Sequence, residues 1–266
     1  MPFVTNAVDG VRTYYEDSGG DAPAVLFSTG FMEPLEVAQA SGLARALATE
    51  YRLLFADHRG HGRSDKPHDV EAYALRTRCG DVVAVLDELG LERSHFIGFS
   101  WGARLGFALG EHAPDRLRSL VLCGNQPYEW KLDSPLTEAV SAAIAAGRQG
   151  GMAAVVETFE SALDYRHPEP MRTLVLENDP AAIEAAFGSV RTEGSISRDL
   201  ASWDLPCLIY VGEADEMHDD AARAAAEIPG ATFLSLPGHT HLSAPDEVDA
   251  LLPYVLDLFR SASARA

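Results

Sequence analysis

Three observations predict an α/β domain built on a mostly parallel sheet. Short apolar runs such as Ala24-Val25-Leu26-Phe27-Ser28 and Leu120-Val121-Leu122-Cys123 lack polar alternation, the pattern of strands buried on both faces. Segments with the 3.6-residue period of helices lie between such runs. The alternation breaks over a helical stretch from 126 to 203 and then resumes, so helices are expected on both faces of one sheet, with a helical insertion before the late strands.

Taken in order, the Asp9-Gly10 turn signal precedes a strand at Val11–Glu16. Ala24–Ser28 follows as a buried strand, Leu35–Thr49 as an Ala- and Leu-rich helix, and Arg52–Ala56 as a second buried strand. Leu75, Cys79, Val82, Val83, Leu86 and Leu89 recur at helical spacing over Ala74–Leu89, and Gly90 ends that helix. Phe96–Phe99 is a strand running into Ser100, Trp101–His112 a helix stopped by Pro114, and Leu120–Cys123 a strand. The insertion holds helical stretches at Leu136–Ala146, Met152–Leu163, Glu169–Glu177 and Ala181–Val190. Cys207–Val211 and Thr232–Leu236 are the last strands, each followed by a helix, near Asp219–Glu227 and Asp246–Arg260; the small, polar tail from Ser261 is expected to fray. The domain boundaries are therefore 1–125 and 204–266 for the core and 126–203 for the cap.

Composition is that of a folded chain, with 47% apolar and 23% charged residues over 266 positions. The formal net charge of −19 argues against a nucleic-acid partner, which needs a basic face, and against docking on an anionic membrane. Lys66 and Lys131 are the two lysines among 21 basic residues. Genome composition accounts for that bias most simply; a surface adapted to high salt is the sharper reading. Cys79, Cys123 and Cys207 form no C-x-x-C pair and read as reduced thiols on apolar faces. The N-terminus lacks the pattern of a signal peptide, no stretch reaches roughly 18 apolar residues, and the expected location is the cytoplasm.

Gly98-Phe99-Ser100-Trp101-Gly102 fits G-x-S-x-G, with a buried strand before it and a helix behind it. Such a turn strains the serine backbone, holds its hydroxyl clear of the sheet and aims free helix N–H groups at a developing oxyanion. Upstream, Asp57-His58-Arg59-Gly60-His61-Gly62-Arg63-Ser64 matches D-x-R-G-x-G-x-S. Gly60 and Gly62 permit unusual φ there, and Asp57 and Arg59 can pair. His58 and His61 lack the further ligands of a metal site. With these motifs, nearly all of the chain resembles the α/β-hydrolase superfamily. The resemblance implies a second oxyanion donor after the third sheet strand, where Ser28-Thr29-Gly30-Phe31 carries Thr29 in place of the usual His. The implied donors are the backbone N–H groups of Phe31 and Trp101.

A serine nucleophile needs a base and an orienting carboxylate. Val211-Gly212-Glu213-Ala214-Asp215 resembles the family's G-x-x-D after a late strand, which selects Asp215 over Glu213; the preceding strand ends in Gly124-Asn125-Gln126, without a carboxylate. Aligned on Pro237-Gly238, the family's P-G-x-x-H-L falls on His241-Leu242, which selects His241 over His239. Ser100, Asp215 and His241 then occur in the family's order. The expected chemistry is attack of Ser100 on a small or medium, largely apolar carboxylic ester or lactone, with no cofactor and no metal. A ligand-binding protein with little or no catalysis, C–C bond hydrolysis and haloperoxidase-type perhydrolysis are the alternatives. Ser100 disfavours dehalogenase and epoxide hydrolase chemistry, whose members use Asp there. The insertion falls where the family carries its lid. Its apolar residues (Tyr128, Trp130, Phe159, Leu163, Tyr165, Met171 and Phe187) are expected mainly in the lid's own core. The expected partner is a small-molecule substrate; the sequence leaves the oligomeric state open.

Overall fold

A computed structural model describes residues 2–196 and 199–264. Among these, eight strands form one sheet in the order β1-β2-β4-β3-β5-β6-β7-β8. β1 (Phe3–Thr5), β2 (Arg12–Asp17) and β4 (Arg52–Ala56) pair antiparallel in succession. From β4 onward, β3 (Ala24–Ser28), β5 (Ser94–Phe99), β6 (Leu117–Cys123), β7 (Cys207–Gly212) and β8 (Thr232–Leu236) run parallel. The fold is the α/β-hydrolase fold expected from the sequence. The central strands are almost wholly buried because both faces are covered, and apolar apart from Ser28, Ser94, His95, Arg118 and Ser119. Leu26, Phe96, Leu120 and Ile209 pack on one side against α3 (Leu75–Glu88), α4 (Trp101–His112) and α8 (His218–Glu227). Val25, Ile97, Val121 and Leu208 pack on the other against α2 (Gly42–Leu47) and α9 (Val248–Ser263).

Several boundaries differ from expectation. β1 escaped the sequence reading because three residues carry too little alternation to register. The helix expected over Leu35–Thr49 is two: α1 (Leu35–Gln39), then Ser41, whose hydroxyl accepts the Ala44 N–H at 3.1 Å and starts α2. The tail does not fray at Ser261, since α9 continues to Ser263 with Phe259 and Ala262 buried; residues 265 and 266 lie outside the described residues. Asp57 does not pair with Arg59. Its carboxylate accepts the Leu35 and Arg63 N–H groups, at 2.7 and 2.8 Å, while Arg59 turns the opposite way to Asp81 and Asp9, each at 2.6 Å. The chain turns at residues 59–60, so the same-side projection that two-residue spacing gives in an extended segment is lost and the two side chains part.

Between β6 and β7 lie α5 (Pro135–Ala162), α6 (Met171–Leu176) and α7 (Pro180–Gly188). They build an apolar cluster of their own that closes over Met32, Tyr73 and Trp101 of the sheet-bearing part. α5 corrects one expectation: by length and composition it is long and apolar enough to cross a membrane, with a mean hydropathy of 1.2. Its many alanines raise that mean without a run of large apolar side chains. The helix is also interrupted at Gly151, where φ is 64° and ψ −163°.

Candidate active site

The chain adds β4 on one side of β3 and returns to add β5 on the other, so a crevice opens at the C-terminal ends of β3 and β5. Both loops expected to carry the reacting groups emerge there. Ser100 links β5 to α4 with φ 49° and ψ −108°, a conformation that non-glycine residues rarely hold. The flanking glycines are required by close approach. A Cβ on Gly98 would lie 2.5 Å from the Gly102 carbonyl oxygen, and one on Gly102 would lie 2.3 Å from the Ser28 carbonyl oxygen. The turn is pinned by the Ser100 N–H to Cys123 O (2.8 Å), the Gly102 N–H to Thr29 O (2.9 Å) and Asn125 Nδ2 to Ser100 O (3.0 Å).

The structure brings Ser100, His241 and Asp215 together from three separate loops. His241 Nε2 lies 3.0 Å from Ser100 Oγ, and His241 Nδ1 lies 2.9 Å from Asp215 Oδ2. A carboxylate only accepts, so Nδ1 carries the proton and Nε2 faces the serine hydroxyl as acceptor. Asp215 is enclosed, and its Oδ1 accepts the Met217 N–H at 3.0 Å. The runners-up are elsewhere: His239 contacts Ser243 O at 3.3 Å and Glu247 at 3.4 Å, and Glu213 is exposed. Trp101 is the first residue of α4, so its N–H is a free helix-start donor. The Phe31 N–H has no acceptor among the described residues. Thr29 does not weaken the loop. Its hydroxyl donates to Glu33 O at 2.9 Å, and Glu33 Oε2 accepts the Gly30 N–H at 2.8 Å. His58 braces the same loop through Ser28 Oγ and Thr29 O, both 3.1 Å away.

A cavity of about 50 Å³ contains Ser100 and His241. Trp130, Phe159, Tyr165 and Phe187 of the insertion line it, and Met171 lines an adjoining one of about 260 Å³. As expected, most of the insertion's singled-out apolar residues pack in its own cluster: Phe159 and Phe187 within it, Trp130, Leu163 and Tyr165 against it. Trp130, Phe159, Tyr165 and Phe187 border a cavity at the same time. A separate cavity of about 560 Å³ lies around Trp203 and Pro206 and contains none of Ser100, Asp215 and His241. Among the described residues, no group of three or more His, Cys, Asp or Glu could hold a metal ion. The three cysteines are free and buried, and burial pushes the Cys79 and Cys207 thiols up to about 12.

Four contributing residues escaped the sequence reading. Gly124 lies directly beneath the His241–Asp215 pair: a Cβ there would be 3.0 Å from His241 Cε1, and its φ of 67° suits glycine alone. Asn125 follows it and holds the Ser100 carbonyl. Glu33 lines both cavities, and burial raises its carboxyl to about 7. His167, which reads as an ordinary loop residue beside a proline, also lines both and pairs with Glu160 at 3.0 Å. The Gly-Asn pair immediately after a buried strand was the available signal for the first two.

A family model of the α/β hydrolase fold matches residues 23–184. The chain belongs to the α/β-hydrolase family. It is 29% identical over 205 residues to 3-oxoadipate enol-lactonase 1 of Acinetobacter baylyi, covering 73% of this chain and 72% of that one. It is 28% identical to fluoroacetate dehalogenase of a Burkholderia species, covering 91% and 90%. Among solved structures, a hydrolase from Pseudomonas aeruginosa PA01 superposes with a TM-score of 0.81 at 26% identity, covering 96% of this chain and 97% of that one.

Proposed function

We propose that this α/β-hydrolase family member hydrolyses small to medium, largely apolar carboxylic esters or lactones through an acyl-enzyme on Ser100. The observation that carries this reading is the unbroken relay from Ser100 Oγ through His241 to Asp215, at 3.0 and 2.9 Å. In the first half-reaction Oγ bonds to the acyl carbon and its proton passes to His241 Nε2. Asp215 stabilises the imidazolium, and the Phe31 and Trp101 N–H groups receive the oxyanion. The imidazolium proton then leaves with the alkoxide. In the second half-reaction a water gives its proton to His241, attacks the acyl carbon and releases the acid, restoring Ser100. The reaction draws on no cofactor. The insertion serves as a cap (126–203) over the core (1–125 and 204–266), excluding water from the site and shaping the pocket with its aromatic side chains. Hydrolytic relatives and an apolar cavity around the serine support the reading.

A fluorophosphonate probe tests it. Stoichiometric labelling of the folded protein that disappears in Ser100→Ala, together with turnover of p-nitrophenyl butyrate that falls by about 10³ or more in that variant, is the expected result. Absence of both labelling and turnover in the unaltered protein overturns it in favour of a ligand-binding role.

A further inference from the structure

The cavity around Ser100 is too small for more than the reacting carbonyl and a short substituent, at about 50 Å³. The adjoining cavity is larger, about 260 Å³, and lies between α1, the turn before α6 and the loop after β8. The two share Glu33, Phe99, Tyr165, His167 and Leu242, so they meet along one wall. Glu33 stands on that wall with its Oε2 held by the Gly30 N–H and no hydrogen-bond donor to Oε1 among the described residues. Asp246 lines the larger chamber as well. The charged or titratable groups facing Glu33 are His241 from the loop after β8, Asp246 from the turn before α9, and Tyr165 and His167 from the segment between α5 and α6. His167 is already committed to the Glu160 carboxylate, which Arg172 also reaches. Among the described residues, no Lys or Arg lines either chamber.

Resting on the hydrolase reading above, we propose that the two cavities form one substrate site in which the longer arm of the ester passes Glu33 into the larger chamber. There Glu33 and Asp246 select a cationic arm over a neutral one and exclude a carboxylate-bearing arm. The apolar remainder of the chamber, with Phe27, Val37, Leu43 and Met171, suits an alkylammonium group, whose charge is spread over methyl or methylene surface. The chamber's sign matches the negative sign of the whole chain.

The test is a set of matched esters. On the alcohol side these are acetylcholine, its neutral isostere 3,3-dimethylbutyl acetate, and the acetate ester of glycolate. On the acyl side they are the methyl esters of 4-(trimethylammonio)butyrate and 5,5-dimethylhexanoate, and monomethyl glutarate. Assays run at about pH 8.5, above the Glu33 carboxyl, so that the carboxylate is charged. In at least one series the cation exceeds its neutral isostere by about tenfold in kcat/KM, the anion falls below it, and the cation-to-neutral ratio drops to about threefold or less in Glu33→Gln. The side-chain amide of the Glu33→Gln variant retains a carbonyl to accept the Gly30 N–H, so the ratio reads charge, not loop collapse. Turnover of the neutral esters without a charge preference in either series, or with a preference unchanged in Glu33→Gln, overturns the proposal and leaves the hydrolase reading standing. No turnover of any ester overturns the hydrolase reading itself.

Discussion

Gly124 marks how little room the reacting groups have. Its α-carbon carries no substituent at a point where one would press on His241 Cε1 at 3.0 Å and approach Asp215 Oδ2 at 3.4 Å. Gly124→Ala therefore moves the imidazole without touching Ser100. The expected outcome is a loss of about tenfold in kcat with a far-UV spectrum like that of the parent, because the imidazole gives way by a fraction of the roughly 1 Å displacement that costs about 10². His241→Ala should lower kcat/KM by about 10³ or more, whereas His239→Ala should stay within about threefold. The opposite ranking in steady-state assays would transfer the base to His239. At this scale the approach of Ser100, Asp215 and His241 to one another was readable because each sits at a fixed offset from a strand end and inside a short motif. Glu33, Gly124 and His167 were not. The Gly-Asn pair after β6 marks a tight turn at Gly124 but does not point to His241, and Glu33 and His167 meet across the cavities from positions more than a hundred residues apart, so no local pattern carries either relation.

At the scale of elements, the buried strands announced themselves because a parallel strand covered on both faces needs an unbroken apolar run. Helix breaks were read unevenly, as their causes are single residues: the one at Gly151 falls in the gap between the expected stretches Leu136–Ala146 and Met152–Leu163, whereas the one at Ser41 was missed. Ser41 caps α2 within what looks like one Ala-rich helix. Gly151 breaks α5 at φ 64° and ψ −163°, a region open to essentially no other residue. Around that break, Val140, Ile144, Met152, Val155, Val156 and Phe159 are buried on the same cluster as Trp101, so the direction change lets both halves of α5 cover the crevice. Gly151→Ala forces either a strained backbone or a straightened helix. It should cost about 1–3 kcal/mol, read as a lower urea midpoint at unchanged slope. A straightened helix would also withdraw Phe159 from the wall beside Ser100, so KM should rise more than kcat falls. A variant with unaltered midpoint and KM would show that the break does not shape the cavity.

For the whole molecule, the response to acid is set by opposing buried groups. Burial pushes His61 down to about 4 and His95 to about 3, and lowers His58 further below its ordinary range. Their neutral forms favour the folded state, so this contribution is complete above about pH 6.5 and is lost as pH falls towards the folded values. Asp57, raised to about 6, and Glu33, raised to about 7, act the other way. Their contribution is complete below about pH 4 and is lost as pH rises through those values. Between neutrality and about pH 5 the two sets offset one another, and below about pH 4 the carboxyls have nothing further to add while the imidazoles still resist protonation. His95 isolates one side of this balance. Its ring stacks on Phe259 with centroids 4.0 Å apart, and its Nδ1 pairs with Ser119 Oγ at 2.8 Å. His95→Phe keeps the stack and loses the hydrogen bond, so the variant should be about 1 kcal/mol less stable at neutral pH. On acidification to about pH 5, unfolded His95 takes up a proton that the folded chain refuses, which lowers the parent by about 2 kcal/mol through a contribution the variant lacks, while the other groups act on both alike. Urea midpoints at the two pH values should therefore converge or cross; a gap that stays constant would remove His95 from the acid response.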